Sequence, residues 1–305
     1  PTRAVLKGTV SENGSYDAAL DVSNLDGSWL KVIDPSAPTV RARADLALVG
    51  SGTFTDPGLR GTARLELIQD QATLLNPDNQ PASVDFDTIE LQNGLLIVEG
   101  QFFAESFTGR ITGKSSLDVL RGTPKNANDK FDLRVNVRER DVDDFEEVVP
   151  SLDPNRSSGK IAAALRASGT LEDADLSGVL TLREASFALD GYQSGLNNAS
   201  LVALFQRDKV IIRGSGDSAA GGSAKFEAVA DLSNAFDDLS GLQQVLSRAP
   251  IQGSITLDKL AVVEPSVVDG GALTATVDRA ALTLGGTMLQ PSVGGNIVLG
   301  PIDLK

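Results

Sequence analysis

Apolar and polar residues alternate in short runs along almost the whole chain, and that two-residue period constrains the fold more than any other feature. Phe131, Leu133, Val135 and Val137 alternate with Asp132, Arg134, Asn136 and Arg138; Phe226, Ala228, Ala230 and Leu232 alternate with Glu227, Val229 and Asp231. The same pattern runs through Tyr16, Ala18, Leu20 and Val22 near the start and Ile251, Gly253, Ile255 and Leu257 near the end. Side chains two apart share one face of a strand, so each run reads as an antiparallel strand with one buried face. Turn signals punctuate the runs at hairpin spacing, for instance Asn13-Gly14, Asn93-Gly94 and Asp190-Gly191. Helical periodicity is nearly absent. Two acidic stretches, Val142 to Val149 and Phe236 to Leu246, fit either a short amphipathic helix or a solvated connector. Pro35 to Pro38 and Asn76 to Pro81 read as breaker-rich connections.

Superposed on the alternation is a long internal repeat. Gly52-Thr53, Gly169-Thr170 and Gly286-Thr287 are equally spaced, since 169 − 52 and 286 − 169 both give 117. The match stays in register through Leu48, Leu165 and Leu282 upstream. Downstream it runs through Leu59, Leu176 and Val293, then Gly61, Gly178 and Gly295, then Leu65, Leu182 and Leu299. A unit of this size exceeds a single solenoid coil and must itself hold several strands. The expected division is a preceding tail at 1–40, full units at 41–157 and 158–274, and the start of a further unit at 275–305. With its patterned start at Pro1, the chain reads as an internal piece of a longer protein. In each unit, Leu48 and Phe54, Leu165 and Leu171, and Leu282 and Met288 fall on one face of the first strand. The next strand adds Leu65 and Leu67, then Leu180 and Leu182, then Ile297 and Leu299 to an aliphatic face. These twelve residues are the candidate lining of an apolar groove. A long sheet with one apolar face must cover it by folding over itself, with a second layer, or with a ligand.

Composition removes most enzymatic chemistry. The chain of 305 residues has no His and no Cys, so Ser-His-Asp and Cys-His nucleophiles, the usual zinc sites, disulfides and histidine switches are all excluded. Lys and Arg total 27 against 41 Asp and Glu, a balance unsuited to a nucleic-acid backbone or an anionic membrane surface as main partner. The absence of cysteine fits a reducing cytosol and a cell envelope equally.

Several short patterns resemble sites. Gly214-Ser215-Gly216-Asp217-Ser218-Ala219 matches a dinucleotide fingerprint, but alternation follows it where a phosphate-binding helix would be needed, and it reads as a turn. Ser157-Ser158-Gly159-Lys160 matches the S-x-x-K of serine acyl enzymes, yet the repeat register places the following residues in a strand. Asp141, Asp143, Asp144, Glu146 and Glu147 lack calcium-loop spacing and read as a solvated connector. Asn13, Asn155 and Asn198 begin N-x-S triplets that read as turns, and Trp29 as a residue packed at a strand end. No catalytic residue, metal or cofactor is expected.

The block from Gly169 to Phe187, with Gly195-Leu196-Asn197-Asn198-Ala199-Ser200-Leu201 and Val210-Ile211-Ile212-Arg213-Gly214-Ser215-Gly216 into Ala220-Gly221-Gly222, resembles the repeat of the translocation and assembly module subunit TamB family. The wider group is the AsmA-like and bridge-like lipid-transfer proteins. The resemblance covers essentially the whole chain and rests on glycine and aliphatic patterning. It implies an all-β fold, a long curved antiparallel sheet of repeated units forming a β-taco with a hydrophobic interior. It also implies the periplasmic part of an envelope protein, anchored in the inner membrane outside this segment. Phospholipid acyl chains and an Omp85-type outer-membrane barrel would be its partners, and lipid passage or barrel assembly its role. Two alternatives stand beside it: a structural or adhesive β-array whose apolar faces pair with each other, and a carboxylate-dependent glycosidase, which the repeat and the scarcity of aromatics disfavour.

Overall fold

The structure is a computed structural model that describes residues 2–27, 42–53, 56–67, 82–104, 107–120, 129–141, 157–170, 174–188, 195–233, 247–265 and 272–304. The expected turn at Asp190-Gly191, the breaker-rich connections, both acidic stretches, Trp29 and Asn155 lie outside these residues. So do Phe54 and Leu171, while of Leu67 only the backbone is described.

The described chain is all-β apart from short helical turns. Its strands are β1 (Arg3–Val10), β2 (Ser15–Asp26), β3 (Ala42–Thr53), β4 (Pro57–Leu67), β5 (Ala82–Gln92), β6 (Leu95–Ala104), β7 (Phe107–Ser116), β8 (Phe131–Asp141), β9 (Ser158–Gly169), β10 (Ala174–Phe187), β11 (Leu196–Gln206), β12 (Lys209–Ser218), β13 (Ser223–Asp231), β14 (Ile251–Pro265), β15 (Ala272–Gly286) and β16 (Pro291–Leu304). They form one 16-stranded antiparallel sheet in which spatial order equals chain order, and the sheet does not close on itself. One four-residue helix, α1 (Leu117–Leu120), follows β7, its first turn held by the Ser116 hydroxyl accepting the Val119 N–H at 3.3 Å. No helix among the described residues is long and apolar enough to cross a membrane. Contacts divide the chain into two compact units, Pro1–Arg138 with Arg166–Asp175, and Glu139–Leu165 with Leu176–Lys305.

Turn chemistry explains the meander. Asn93 and Gly94 both take positive φ, 52° and 71°, which gives the two-residue hairpin between Gln92 and Leu95 the twist that suits its strands. Each Gly-Thr pair opens a hairpin from a glycine with positive φ: Gly52 at 131°, Gly169 at 135°, Gly286 at 87°. After Gly52 the Thr53 hydroxyl accepts the Asp56 N–H at 3.1 Å; after Gly286 the Thr287 hydroxyl accepts the Gln290 N–H at 3.2 Å. Asp56 and Gln290 are 234 residues apart, twice 117, so the two turns share one hydrogen-bond plan.

Cross-strand packing shows a second common element. Gly61 lies opposite Leu48 and Gly295 opposite Leu282. A Cβ added to Gly61, Gly178 or Gly295 would meet the Cα of Leu48, Leu165 or Leu282 at 2.9, 2.8 and 2.9 Å. The missing side chain lets the leucine of the preceding strand lie across the glycine, a large-against-small alternation that a single-layer sheet needs to bury apolar area on one face.

One expectation is corrected. Gly214 to Ser218 are not a turn: they continue β12, with Gly214 between Leu201 and Phe226, and the turn follows at Ala219 to Gly221. Gly214 serves packing, since it faces Leu201 and Phe226 across the ladder, whereas Gly216 lies between Ala199 and Ala224.

Candidate functional site

In the first unit one face of β1 to β8 is apolar over most of the paired residues, with the hydroxyls of Tyr16 and of Ser115, opposite Leu96, toward one end. One cross-strand row runs Leu20, Leu48, Gly61, Ile89, Val98, Gly113, Leu133. The adjacent row runs Val22, Leu46, Ala63, Phe86, Gly100, Ile111, Val135, and a third runs Leu25, Ala44, Leu65, Val84, Phe102, Gly109, Val137. These three rows contain no carboxylate, amine or hydroxyl. Toward one end Tyr16 lays its ring within 3.2 Å of where a Gly50 Cβ would stand, and its hydroxyl donates to the Gly58 carbonyl at 3.3 Å. Eight strands at about 4.8 Å spacing give such a face a width of about 35 Å.

The second unit repeats the arrangement by itself. Leu180, Ala203, Ile212, Ala228, Gly253 and Leu284 form one row; Leu182, Leu201, Gly214, Phe226, Ile255, Leu282 and Gly295 form the next. Ala203, Val210, Ile212, Ala228, Ala230, Leu232, Ala249 and Ile251 make a buried cluster, and Leu180 and Met288 pack against it.

Of the expected groove residues, Leu48 and Leu65 therefore share the first unit's apolar face, and Leu180, Leu182 and Leu282 the second's. Leu165 lies against Gly178, and Met288 joins the cluster through its neighbours, its N–H donating to the Ala249 carbonyl at 2.9 Å. Ile297 pairs with Ala280 on the apolar side and is 54 % exposed. Leu299 sits where β16 slips by one residue against β15, so simple alternation does not carry the face to it.

The large side chains of the apolar face are mostly half-buried. Among the described residues the one large side chain with under 2 % exposure is Val119, in α1. The fully buried apolar positions are dominated by alanines, such as Ala185, Ala230 and Ala280, which sit low between larger neighbours. A closed two-layer core would instead bury its Leu, Ile and Phe most deeply.

Several ion pairs lie on the opposite face. Arg64 pairs with Glu66 at 3.2 Å and Asp85 at 3.6 Å, Arg110 with Glu99 at 2.7 Å, Arg213 with Glu227 at 3.4 Å. Asp132 receives both guanidinium forks of Arg166, at 2.9 and 3.0 Å, and those of Arg134 at 3.3 and 3.2 Å. Hydrogen bonds from Arg166 and then Arg134 hold its carboxyl below the ordinary aspartate range, against the opposing effect of burial. Glu139, accepting from the Lys160 ammonium at 3.1 Å, raises that amine above its usual value.

The serine of the S-x-x-K pattern is structural. Ser157 is 5 % exposed and bonded reciprocally to Ala188, its hydroxyl accepting the N–H at 3.2 Å and donating to the carbonyl at 3.4 Å. Among the described residues no group of three or more carboxylates could hold a metal ion. Of the expected calcium-type cluster only Asp141 lies within them.

Sequence reasoning missed Phe86, Ile89 and Phe102 as members of the apolar face. Phe86 and Ile89 share it because the register shifts between Phe86 and Thr88. No family model, curated protein or solved structure matches the chain.

Proposed function

We propose that this chain is part of an envelope-spanning scaffold whose apolar β-face carries phospholipid acyl chains between inner and outer membranes, assists outer-membrane protein assembly, or both. The observation that carries the lipid reading is the uncharged face of β1 to β8, whose large side chains stay half-buried and so lack a second apolar layer among the described residues. An acyl chain supplies what such a face lacks. Each buried CH₂ contributes roughly 0.8 kcal/mol, so about 16 carbons gain on the order of 10 kcal/mol before ordering costs. Rows of Leu, Ile, Val, Phe and Gly offer no polar fixing point, which favours sliding along the face over tight holding. A headgroup would stay outside, where water is. The assembly role, with an Omp85-type barrel as partner, rests on the TamB-family resemblance of the sequence.

The test is mass spectrometry of organic extracts from protein purified without detergent. Leu48→Asp combined with Leu182→Asp charges the apolar face; Val49→Asp combined with Val202→Asp places the same charge on the other face of strands β3 and β11, where both valines are exposed. Phospholipid retained by the wild type and the valine variant, and lost from the folded leucine variant, is the expected result. Absence of lipid from the wild type, or equal loss from both variants, would overturn the proposal in favour of a closed structural array.

A further inference from the structure

The second unit turns apolar side chains outward as well as inward. We infer that its outer face is where two copies of the chain associate, sheet against sheet, about a two-fold axis that runs along the strands between β12 and β13.

Val179, Leu204, Ile211 and Val229 stand one residue off the inward row of Leu180, Ala203, Ile212 and Ala228, so they belong to the opposite face. Successive strands pair them, which gives an apolar stripe across β10 to β13 that ends at Gln252 of β14. Val202 shares that face with Leu204, and Val202 and Val229 are 37 and 42 % exposed. The repeat does not account for the stripe. β4 corresponds to β10 at a step of 117 residues, and on β5 to β7, the strands that follow it, the outward rows run Glu90, Ile97, Lys114 and Thr88, Glu99, Thr112. Both rows carry charge. An outward aliphatic row is therefore a departure of the second unit from the chain's own pattern, and an apolar patch rimmed by polar residues marks a surface of association.

Charge selects the occupant. Beside the stripe β12 presents Lys209 and Arg213, while β13 presents Asp231 opposite the first and Glu227 opposite the second. A two-fold axis along the strands lays β12 on the partner's β13 at equal height, so each residue meets in the partner the residue it already faces across the ladder. Ile211 meets Val229, Lys209 meets Asp231 and Arg213 meets Glu227, each contact made twice. β11 then lies on β14, where Leu204 meets Gln252, Val202 meets Ser254 and Ser200 meets Thr256, and no like charges are apposed. A two-fold axis across the strands would instead set Lys209 on Arg213 and Asp231 on Glu227, an arrangement that like charges disfavour. The in-chain pair of Arg213 and Glu227, at 3.4 Å with side chains 65 and 68 % exposed, keeps both heads within reach of a second copy. Six strands, β10 to β15, at about 4.8 Å spacing and about nine residues each give a face of roughly 850 Å², the share of one partner in a standard-size interface.

The test is native mass spectrometry of the whole chain over a range of concentrations, with the wild type expected to be dimeric. Arg213→Glu sets glutamate on glutamate twice across the axis, and Glu227→Lys sets lysine on arginine twice. Each variant alone is expected to bind its own kind at least about tenfold more weakly than the wild type does. Mixed in equal amounts, the two are expected to form a heterodimer close to wild-type affinity, because the introduced glutamate then meets the introduced lysine and native Arg213 meets native Glu227. Within each chain the altered pair stays like-charged before and after mixing, so this rescue separates contact between chains from contact within one. Val229→Asp, at a side chain already 42 % exposed, should prevent association with the circular dichroism unchanged. A wild type that stays monomeric, which would leave the stripe to a different protein, a dimer indifferent to either charge reversal, or single variants that fail to pair on mixing would each overturn the inference. None of these outcomes depends on whether the inner face holds lipid.

Discussion

The glycine at the centre of each leucine-glycine contact can be tested by comparing two substitutions that share a backbone penalty and differ in packing. Gly94→Ala adds a methyl at φ 71° where no atom lies within 4 Å. Its effect should be the left-handed penalty alone, about 1–2 kcal/mol. Gly178→Ala adds the same methyl at φ 142°, where it would meet the Ala164 carbonyl oxygen and approach the Leu165 Cα to 2.8 Å. Neither atom is the end of a flexible side chain, so β9 and β10 must separate, an overpacking cost of about 1–3 kcal/mol on top of the backbone term. The expected total is about 2–5 kcal/mol. Because a fold made of neighbouring hairpins need not unfold as one unit, the readout should be local: amide hydrogen exchange along β9 to β11 for Gly178→Ala and along β5 and β6 for Gly94→Ala. At a factor of ten per 1.4 kcal/mol, protected amides near residue 178 should exchange roughly 30- to 4000-fold faster, and those near residue 94 roughly 5- to 30-fold faster. An effect of Gly178→Ala no larger than that of Gly94→Ala would refute the idea that backbone approach, rather than turn conformation, demands glycine at 61, 178 and 295.

Three further outcomes can be checked on the same protein. Asp132→Asn removes an acceptor whose carboxyl is held low by Arg166 and Arg134; since its folded pKa lies below the unfolded one, its contribution is complete above about pH 4 and fades as pH falls through the folded value, so the stability gap between wild type and variant should be widest at neutral pH and close in acid. Arg166→Lys keeps the charge and loses the two-pronged contact at 2.9 and 3.0 Å, and an NMR titration should show the Asp132 carboxyl moving up toward its ordinary range. Ser157→Ala leaves the Ala188 N–H and carbonyl without their buried partner and should cost about 1–3 kcal/mol in urea unfolding; an unchanged midpoint would remove the structural role assigned to that hydroxyl.

What the sequence revealed follows from where alternation holds. Strands β3, β8 and β13 keep strict period-two order, so Leu48, Leu133 and Phe226 could be placed on a face from the letters alone. The three Gly-Thr turns were visible because positive φ narrows the choice of residue. β5 was not legible, because its register shift near Thr88 puts Phe86 and Ile89, three apart, on one side; shifts between Val22 and Leu25 and between Leu182 and Ala185 act the same way. Glycines such as Gly214 read as turn formers, and only the cross-strand partners reveal that they make room for Leu201 and Phe226. Ser157 shows the converse: its motif was visible, while its partner Ala188, 31 residues away, was not.

Spatial order that equals chain order also dictates how this protein can be made. Every hydrogen-bonded neighbour of a strand is the strand just before or just after it in synthesis, so no segment waits for a distant partner before it can pair. Loop-closure entropy stays at the level of one connection per step, and growth is a zipper that adds one hairpin at a time. A lesion in one hairpin stalls the zipper locally and leaves the strands already laid down intact, and added units would lengthen the array without reworking what came before.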